Sequence, residues 1–398
     1  MSDPLLPPGL PLPPSIQGSG IRAEVLGFPS LSKHIEDHLP GNEVLDEDRS
    51  VRIYTILKVL HQSPWSSLYM CNWHSPLRPK EGSPPLIEIF RFGENSRLIA
   101  LKCIDCPTLS SSNIPQIKEL DALRKLSPHR NIVSLYDYFF SLDQRKLYLA
   151  TGAMEGNLYQ FIKARKGRAL AGGLVSSILF QTLLGLNHIH SNGYFHRDLI
   201  PENILITTQA PDAVEEKDVV VIVKISDFGL ARELGSEGPY TEYVTVRWYR
   251  SPEVLLLSRN YTSAIDMWAF GAIAAEVLNL SPLFPGNSII DQCMKICEVL
   301  GSPSDEARLD ENGDRLDGGA WPEGIRLAQI VGYQFPAIVP RPFSSFFEPT
   351  VPASLLSCIK NLLEYDPGKR LTSQACLSHI YFIETSSHRE VPADLQRH

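Results

Sequence analysis

No stretch of this sequence is apolar for long enough to cross a bilayer. The most apolar long segment, Met267 to Leu280, is broken by Glu276 and falls short of the roughly 20 residues that a spanning helix needs. It reads as a buried helix, and no membrane segment is expected. Positive charge is also in deficit: a formal net charge of -8 argues against bulk electrostatic binding to nucleic acid or anionic lipid. Cysteine is scarce and shows no framework. The seven cysteines are an odd number and no secretory signal opens the chain, so a reduced interior compartment is expected rather than a set of disulfides. Cys103 and Cys106 form a lone CxxC with no second pair nearby. They read as a strand end after the apolar run Leu98 to Leu101, not as a zinc or redox site. No internal repeat is visible.

What is present is a long chain of 398 residues, 43% hydrophobic and 9% aromatic, enough for a large core and for two or three domains. Its first fifty residues differ from the rest. Pro4, Pro7, Pro8, Pro11, Pro13 and Pro14 crowd the start, and a charged run extends from Glu43 to Arg49. Such a composition buries too little apolar surface to offset ordering, so residues 1–50 are expected to be a disordered Pro-rich tail. The spaced prolines are also compatible with a proline-recognition partner. Strands are expected over Ile53 to Leu60, Leu68 to Met70 and Leu98 to Ile104. The Pro/Gly-rich stretch from Trp73 to Arg97 reads as a surface insertion. Ile117, Leu120, Leu123 and Leu126 give Ile114 to Leu126 helical spacing. Further strands run through Ala150, and helices then dominate: Val175 to His190, Ala264 to Leu280, Asp291 to Leu300 and Pro352 to Leu363. The expectation is an α+β, bilobal domain over 54–382, with a small β-rich N-lobe (54–153), a larger helical C-lobe (154–382) and a short tail at 383–398.

The chemistry-bearing residues lie in one order along this domain. Lys102 closes Ile99-Ala100-Leu101-Lys102, and Glu119 follows in Lys118-Glu119-Leu120, on the next helix, where it can pair with the lysine. Then come His196-Arg197-Asp198-Leu199-Ile200-Pro201-Glu202-Asn203, Asp227-Phe228-Gly229 and Ser251-Pro252-Glu253. Phosphoryl transfer needs the γ-phosphate, a metal and the accepting hydroxyl held in line with their charge neutralised. Lys102 supplies a cation for the α and β phosphates. Asp198 can orient a hydroxyl and accept its proton. Asn203 and Asp227 offer the hard oxygen ligands that Mg2+ prefers. Each residue alone is ordinary, and a lone lysine in a strand is normally a surface residue. Together, in this order, they match the protein-kinase signature set.

From about Tyr54 to Phe382 the chain resembles the protein kinases of the group that includes the cyclin-dependent and mitogen-activated kinases. Within that group it is most similar to the male-germ-cell-associated and fungal meiosis-inducer kinases. Glu155-Gly156-Asn157-Leu158-Tyr159-Gln160, Tyr240-Thr241-Glu242-Tyr243 and the run Arg247 to Leu256 carry the likeness. So do Pro282 to Gly286, Gly318 to Trp321 and Arg326 to Gln329. The resemblance implies serine/threonine phosphotransfer from ATP with Mg2+. It makes Thr151 the gatekeeper and places adenine against the backbone of Gly152 to Met154, with Leu60, Leu68, Ala100 and Leu205 around the ring. It implies dual phosphorylation at Thr241 and Tyr243 by an upstream kinase. Lys118, Arg197 and Arg232 would receive the first phosphate, and Arg247 and Arg250 the second. Protein substrates are the expected partners, without nucleic acid or membrane, and a monomer in the cytoplasm or nucleus is expected. Lys163 to Arg168 reads either as an import patch or as a solvated loop.

Three departures from the family pattern gather at one end of the nucleotide. His61, Ser63 and Ser66 stand at the positions of the loop glycines, where glycine lets backbone amides approach phosphate closely. Pro64 has no N–H to donate. Ile200 stands where the family has a lysine facing the transferred phosphate, and Val246 where it has a threonine, with Thr245 one position early. In related kinases that lysine, threonine and the catalytic aspartate hydrogen-bond to one another. Replacing both partners by apolar groups can be nearly neutral for stability, but a lost preorganised donor costs about 100- to 1,000-fold in rate. The expected function is a slow kinase. The alternative is a catalytically weak or silent scaffold on the same fold.

Overall fold

The computed structural model describes residues 42–45, 51–74, 97–106, 117–141, 143–209, 220–235, 246–306, 308, 309, 311 and 318–388. The N-terminal lobe is an antiparallel sheet of β1 (Asn42–Leu45), β2 (Val51–Gln62), β3 (Ser66–Trp73), β4 (Arg97–Asp105), β5 (Leu135–Ser141) and β6 (Lys146–Gly152). Their spatial order is β1-β2-β3-β4-β6-β5. The strand β1 lies within the segment expected as a tail, residues 1–50, the rest of which lies outside the described residues. The open edge of β2 supplies the hydrogen-bond partners that composition alone does not reveal. The proposed insertion at Trp73 to Arg97 falls mostly on residues 75–96, outside the described residues, although Trp73 itself ends β3.

Strand register decides which residues look into the cleft between the lobes, because opposed residues share a face and neighbours along a strand alternate. Leu68 pairs with Lys102 and Met70 with Ala100. Lys102 pairs with Leu149 and Ala100 with Thr151. These residues therefore share one face. The opposite face carries Cys71, Leu101, Cys103, Tyr148 and Ala150, which pack with Tyr54, Trp73 and Phe139. Tyr54 stacks on Trp73 at 6.1 Å and Phe139 on Tyr148 at 4.7 Å. Cys103 lies in this cluster, whereas Cys106 belongs to the main core. Both thiols are free and buried, and burial pushes Cys103 up to about 12. They act as small apolar side chains.

One helix, α1 (Lys118–Leu126), joins β4 to β5 and buries Leu120, Leu123 and Leu126. The C-terminal lobe begins with β7 (Gly156–Asn157) and α2 (Leu158–Ala164), whose first turn is closed by a reciprocal cap between Asn157 and Gln160. Then follow α3 (Gly172–Ser191), β8 (Tyr194–Phe195), β9 (Ile204–Gln209), β10 (Val220–Ile225), β11 (Arg232–Glu233), α4 (Pro252–Leu255), α5 (Ala264–Asn279), α6 (Ile289–Leu300), α7 (Pro322–Ile330), α8 (Ala353–Leu362), α9 (Ser373–Leu377) and α10 (Ile380–Glu384). Every residue from Ile265 to Val277 is buried, so α5 is the central helix of this lobe and not a membrane span. Among the described residues no helix is long and apolar enough to cross a membrane. The architecture is the α+β, two-lobed one that the sequence predicts.

Two polar anchors fix the parts of the large lobe that matter for the cleft. Asp266, 1% exposed at the start of α5, accepts hydrogen bonds from the backbone N–H groups of His196 (2.7 Å) and Arg197 (2.8 Å). His190 Nε2 lies 3.0 Å from the same carboxylate. Glu253 and Arg370 form a fully buried bidentate pair, both contacts at 2.6 Å, with the guanidinium 5.0 Å from the Trp268 ring. A buried pair of this kind is costly to break from one side, by about 3–5 kcal/mol. It pins Ser251-Pro252-Glu253 to the base of the lobe.

Candidate active site

The loop after β8 holds its functional side chains by bonds made elsewhere. Arg197 and Asp227 both adopt left-handed backbone conformations, φ 72° and 61°, which non-glycine residues adopt only when their surroundings impose it. At Arg197 the imposition comes from Asp266 below and from its own guanidinium, which donates to Tyr261 Oη (2.6 Å) and to the Leu230 carbonyl (3.2 Å). The result presents Asp198 at the cleft. Asn203 Nδ2 donates to the Asp198 carbonyl at 2.8 Å, and more weakly to its carboxylate at 3.4 Å. Burial raises the Asp198 carboxyl above the ordinary aspartate range and Asp227 adds to that rise. His196, Arg250 and the Asn203 bond pull against it.

The second assembly bridges the lobes. Lys102 Nζ donates to both Glu119 oxygens, at 2.7 and 2.8 Å, and to Asp227 Oδ1 at 3.0 Å. Burial works against the charged amine, but two carboxylates more than offset it, so Lys102 holds its proton more tightly than in water. For Asp227 desolvation pushes upward, and the Lys102 charge and hydrogen bond outweigh it, leaving the carboxyl below its usual range. Phe228, fully buried with its ring 5.2 Å from the His196 imidazole, locks the backbone next to Asp227. Lys102, Glu119 and Asp227 come from β4, α1 and the segment after β10. Both carboxylates converge within hydrogen-bond distance of the Lys102 ammonium.

Asn203 and Asp227 make a two-residue oxygen set. Mg2+ usually takes one or two protein oxygens and completes its shell with phosphate and water, so this set suits an ion that arrives with a nucleotide. Among the described residues no group of three or more His, Cys, Asp or Glu side chains offers a cage on its own. Because the Asn203 amide nitrogen is committed to Asp198, its carbonyl oxygen is the atom left for a cation.

The residues expected around adenine come from both lobes. Leu68, Ala100 and Thr151 lie on the cleft face of the sheet, and the Thr151 hydroxyl donates to the Ala100 carbonyl at 3.3 Å. Leu60 packs with Met70, Leu98 and Ala153. Met154 sits half-buried in the connection between the lobes, and Leu205 lies on β9 opposite Asn157.

The phosphate end is built differently. The turn between β2 and β3 is closed around the Ser63 side chain. Ser63 N–H donates to the Ser66 carbonyl (2.8 Å), Ser66 N–H donates to Ser63 Oγ (3.1 Å), and Trp65 N–H points to the same oxygen (3.4 Å). Ser63 Oγ in turn donates to the Ser66 carbonyl at 3.0 Å. Pro64 has no N–H. The amides that glycines would free for a phosphate are thus consumed within the turn, and Trp65 stands 73% exposed at its tip. In the large lobe, Ile200 and Val246 line one pocket together with Asp198 and Arg250, and both apolar side chains pack onto the main core. The structure therefore brings the two sequence departures into one place.

Of the residues expected to hold regulatory phosphates, Lys118 is exposed at the start of α1, and Arg232, Arg247 and Arg250 are half-buried. Arg197 is buried and already engages Tyr261 and Leu230. Thr241 and Tyr243 lie outside the described residues. The sequence reading missed Asp266 as the anchor of the loop. Its signal was an acid at the start of an otherwise apolar helix. It also missed Ser63 as the centre of the turn, for which the sequence carries no comparable mark.

Residues 89–382 match the model of the protein kinase domain. The match begins after β2 and β3, so the Ser63 turn lies outside it. The chain is 40% identical over 289 residues to the serine/threonine-protein kinase ICK of Mus musculus, covering 73% of this chain and 41% of that protein. It is 39% identical to the serine/threonine-protein kinase MAK of Homo sapiens, covering 73% of this chain and 42% of that protein. It is 40% identical to the cyclin-dependent kinase F-3 of Oryza sativa subsp. japonica, covering 73% and 60%. The matched region thus spans about two-fifths to three-fifths of these relatives' length.

Proposed function

We propose that this chain, which belongs to the protein kinase family, transfers the γ-phosphate of ATP to serine or threonine hydroxyls of protein substrates, and does so slowly. The observation that carries this reading is the pairing of Lys102 with Glu119 at 2.7 Å within the small lobe and with Asp227 at 3.0 Å across the cleft. In this reading Lys102 holds the α and β phosphates, and Glu119 holds Lys102. Asn203 and Asp227 hold Mg2+, which when bound neutralises phosphate charge. Asp198 orients the accepting hydroxyl and takes its proton at the carboxylate. Burial, by raising its proton affinity, makes it a better base than a solvated aspartate. Asp266 keeps the loop in register through two backbone N–H groups.

Slowness follows from the phosphate end. Ile200 offers no cation, which alone is worth about 100- to 1,000-fold, and the Ser63 turn offers no free amides. The same two features favour a second reading, a scaffold that retains the fold and binds nucleotide without useful turnover. Thr241 and Tyr243, phosphorylated by an upstream kinase, are part of the first reading and rest on the basic side chains named above.

Transfer of label from ATP to protein, compared between the natural chain and Asp198→Asn, separates the two. A natural rate at least tenfold above Asp198→Asn supports the kinase. Equal inertness of the two supports the scaffold.

A further inference from the structure

The charge that Ile200 fails to supply has a second source in the same pocket. Asp198, Ile200, Val246 and Arg250 all line one cavity, whose wall also carries Arg197 and Asp266. Arg250 is not a loose surface arginine. Its N–H donates to the Arg247 carbonyl at 3.0 Å. On one side Tyr249 is buried and tied through its hydroxyl to Glu276 at 2.7 Å. On the other, Ser251 is 1% exposed and opens α4, which the Glu253–Arg370 pair pins. The backbone that carries Arg250 is therefore fixed from both directions, and its side chain is aimed into the cavity.

The apolar replacements change how far that charge reaches. A lysine and a threonine at positions 200 and 246 would bring their own polar groups into the cavity that Arg250 and Asp198 line. Isoleucine and valine bring none. In a lower local dielectric a charge acts more strongly at a given distance. The loss of the near cation and the strengthening of the far one are thus produced by the same pair of residues.

We propose that Arg250 supplies, across the Ile200–Val246 pocket, the positive charge beside Asp198 that position 200 lacks, and so acts as a positioning residue for the catalytic base. Its consequence for rate rests on the kinase reading above, whereas the Arg250–Asp198 coupling does not.

The test is a pair of double-mutant cycles on the full chain. In phosphate transfer, Arg250→Gln lowers kcat on the order of tenfold or more with little change in the KM for ATP, and Arg250→Lys restores most of it. In an Ile200→Lys background the loss from Arg250→Gln shrinks to about threefold or less, because the near cation is back. A Tyr243→Phe background leaves the loss unchanged, which separates this role from phosphate recognition. Independently of turnover, thermal unfolding of Asp198→Asn, Arg250→Gln and their combination gives a non-additive shift in Tm in the natural chain and a smaller one with Ile200→Lys. Equal kcat losses in both backgrounds, or additive Tm shifts, overturn the proposal. If the natural chain proves as inert as Asp198→Asn while the Tm shifts stay non-additive, the kinase reading fails and the coupling stands.

Discussion

The two ends of the cleft are held together by opposite means. At the metal and base end, polar groups are preorganised by partners drawn from distant segments: Lys102 by Glu119 and Asp227, Asp198 by Asn203, and the whole loop by Asp266. At the end expected to meet phosphate, hydrocarbon stands beside Asp198 and Arg250, and the polar groups of the β2–β3 turn are satisfied among themselves. Ile200 and Val246 face one another's pocket with hydrocarbon, and the Ser63 turn spends its N–H groups on its own oxygens. Neither arrangement is a defect of folding. In both, the hydrogen-bonding side chains Lys102, Asn203 and Ser63 have their partners within the fold. They differ in what remains for a ligand. In the proposed reading the first end offers a cation, two oxygen donors and a base, and the second offers a self-closed turn and a cavity whose cation is Arg250.

The largest break in this comparison is expected at Lys102. Lys102→Met keeps the volume and removes the ammonium that bonds both Glu119 and Asp227, so phosphate transfer should fall about 1,000-fold. The rise in Tm produced by ATP with Mg2+ should vanish at the same time. A variant that keeps its nucleotide-dependent Tm shift would place nucleotide binding elsewhere.

Next in size is a pH effect seated beneath the phosphate end. Burial raises the Glu276 carboxyl from 4.5 to about 7, with Glu202 adding to the rise and the Tyr249 hydroxyl opposing it. A carboxyl whose folded pKa lies above its unfolded value contributes stability that is present below about 4.5 and lost as pH rises through about 7. The loss is on the order of 3 kcal/mol. Glu276→Gln keeps an acceptor for Tyr249 and removes the titration. The variant should therefore gain stability relative to the natural chain as pH climbs from 5 to 8, read by urea unfolding. Parallel pH curves for the two would contradict this account.

The smallest effect is expected at the turn. Ser63→Ala removes the oxygen that four of the turn's contacts use, and should cost about 1 kcal/mol or less of global stability, since the loop is exposed. The KM for ATP should change less than twofold, because the turn was not serving the phosphates. A large rise in KM would show that it was.

How much of this was legible in the sequence follows the same division. The side chains of the metal and base end are named by type, order and spacing, and the folded chain brings Lys102, Glu119 and Asp227 within hydrogen-bond distance. The helices also lie where period and apolar content put them. α5 runs Ala264–Asn279 against an expectation of Ala264 to Leu280. What was not legible is what the missing groups were replaced by. Serines in a glycine position say only that glycine is gone. That the Ser63 hydroxyl closes the turn is a side-chain to backbone arrangement that depends on the β2–β3 register. Asp266 serves residues 69 and 70 positions away along the chain, a distance over which local pattern carries no information. The strand Asn42–Leu45 was hidden for a related reason, since a four-residue edge strand exists only by virtue of the neighbour it pairs with.

The central claim is that an intact metal and base end is limited by an apolar phosphate end. The most direct measurement is the rate of label transfer from ATP for the natural chain, Ile200→Lys, Val246→Thr and the double variant. Because a lysine, a threonine and Asp198 would act as a unit, the double variant should exceed the product of the two single gains and rise about 100-fold over the natural chain. Gains that merely multiply, or a double variant no faster than the natural chain, would contradict it.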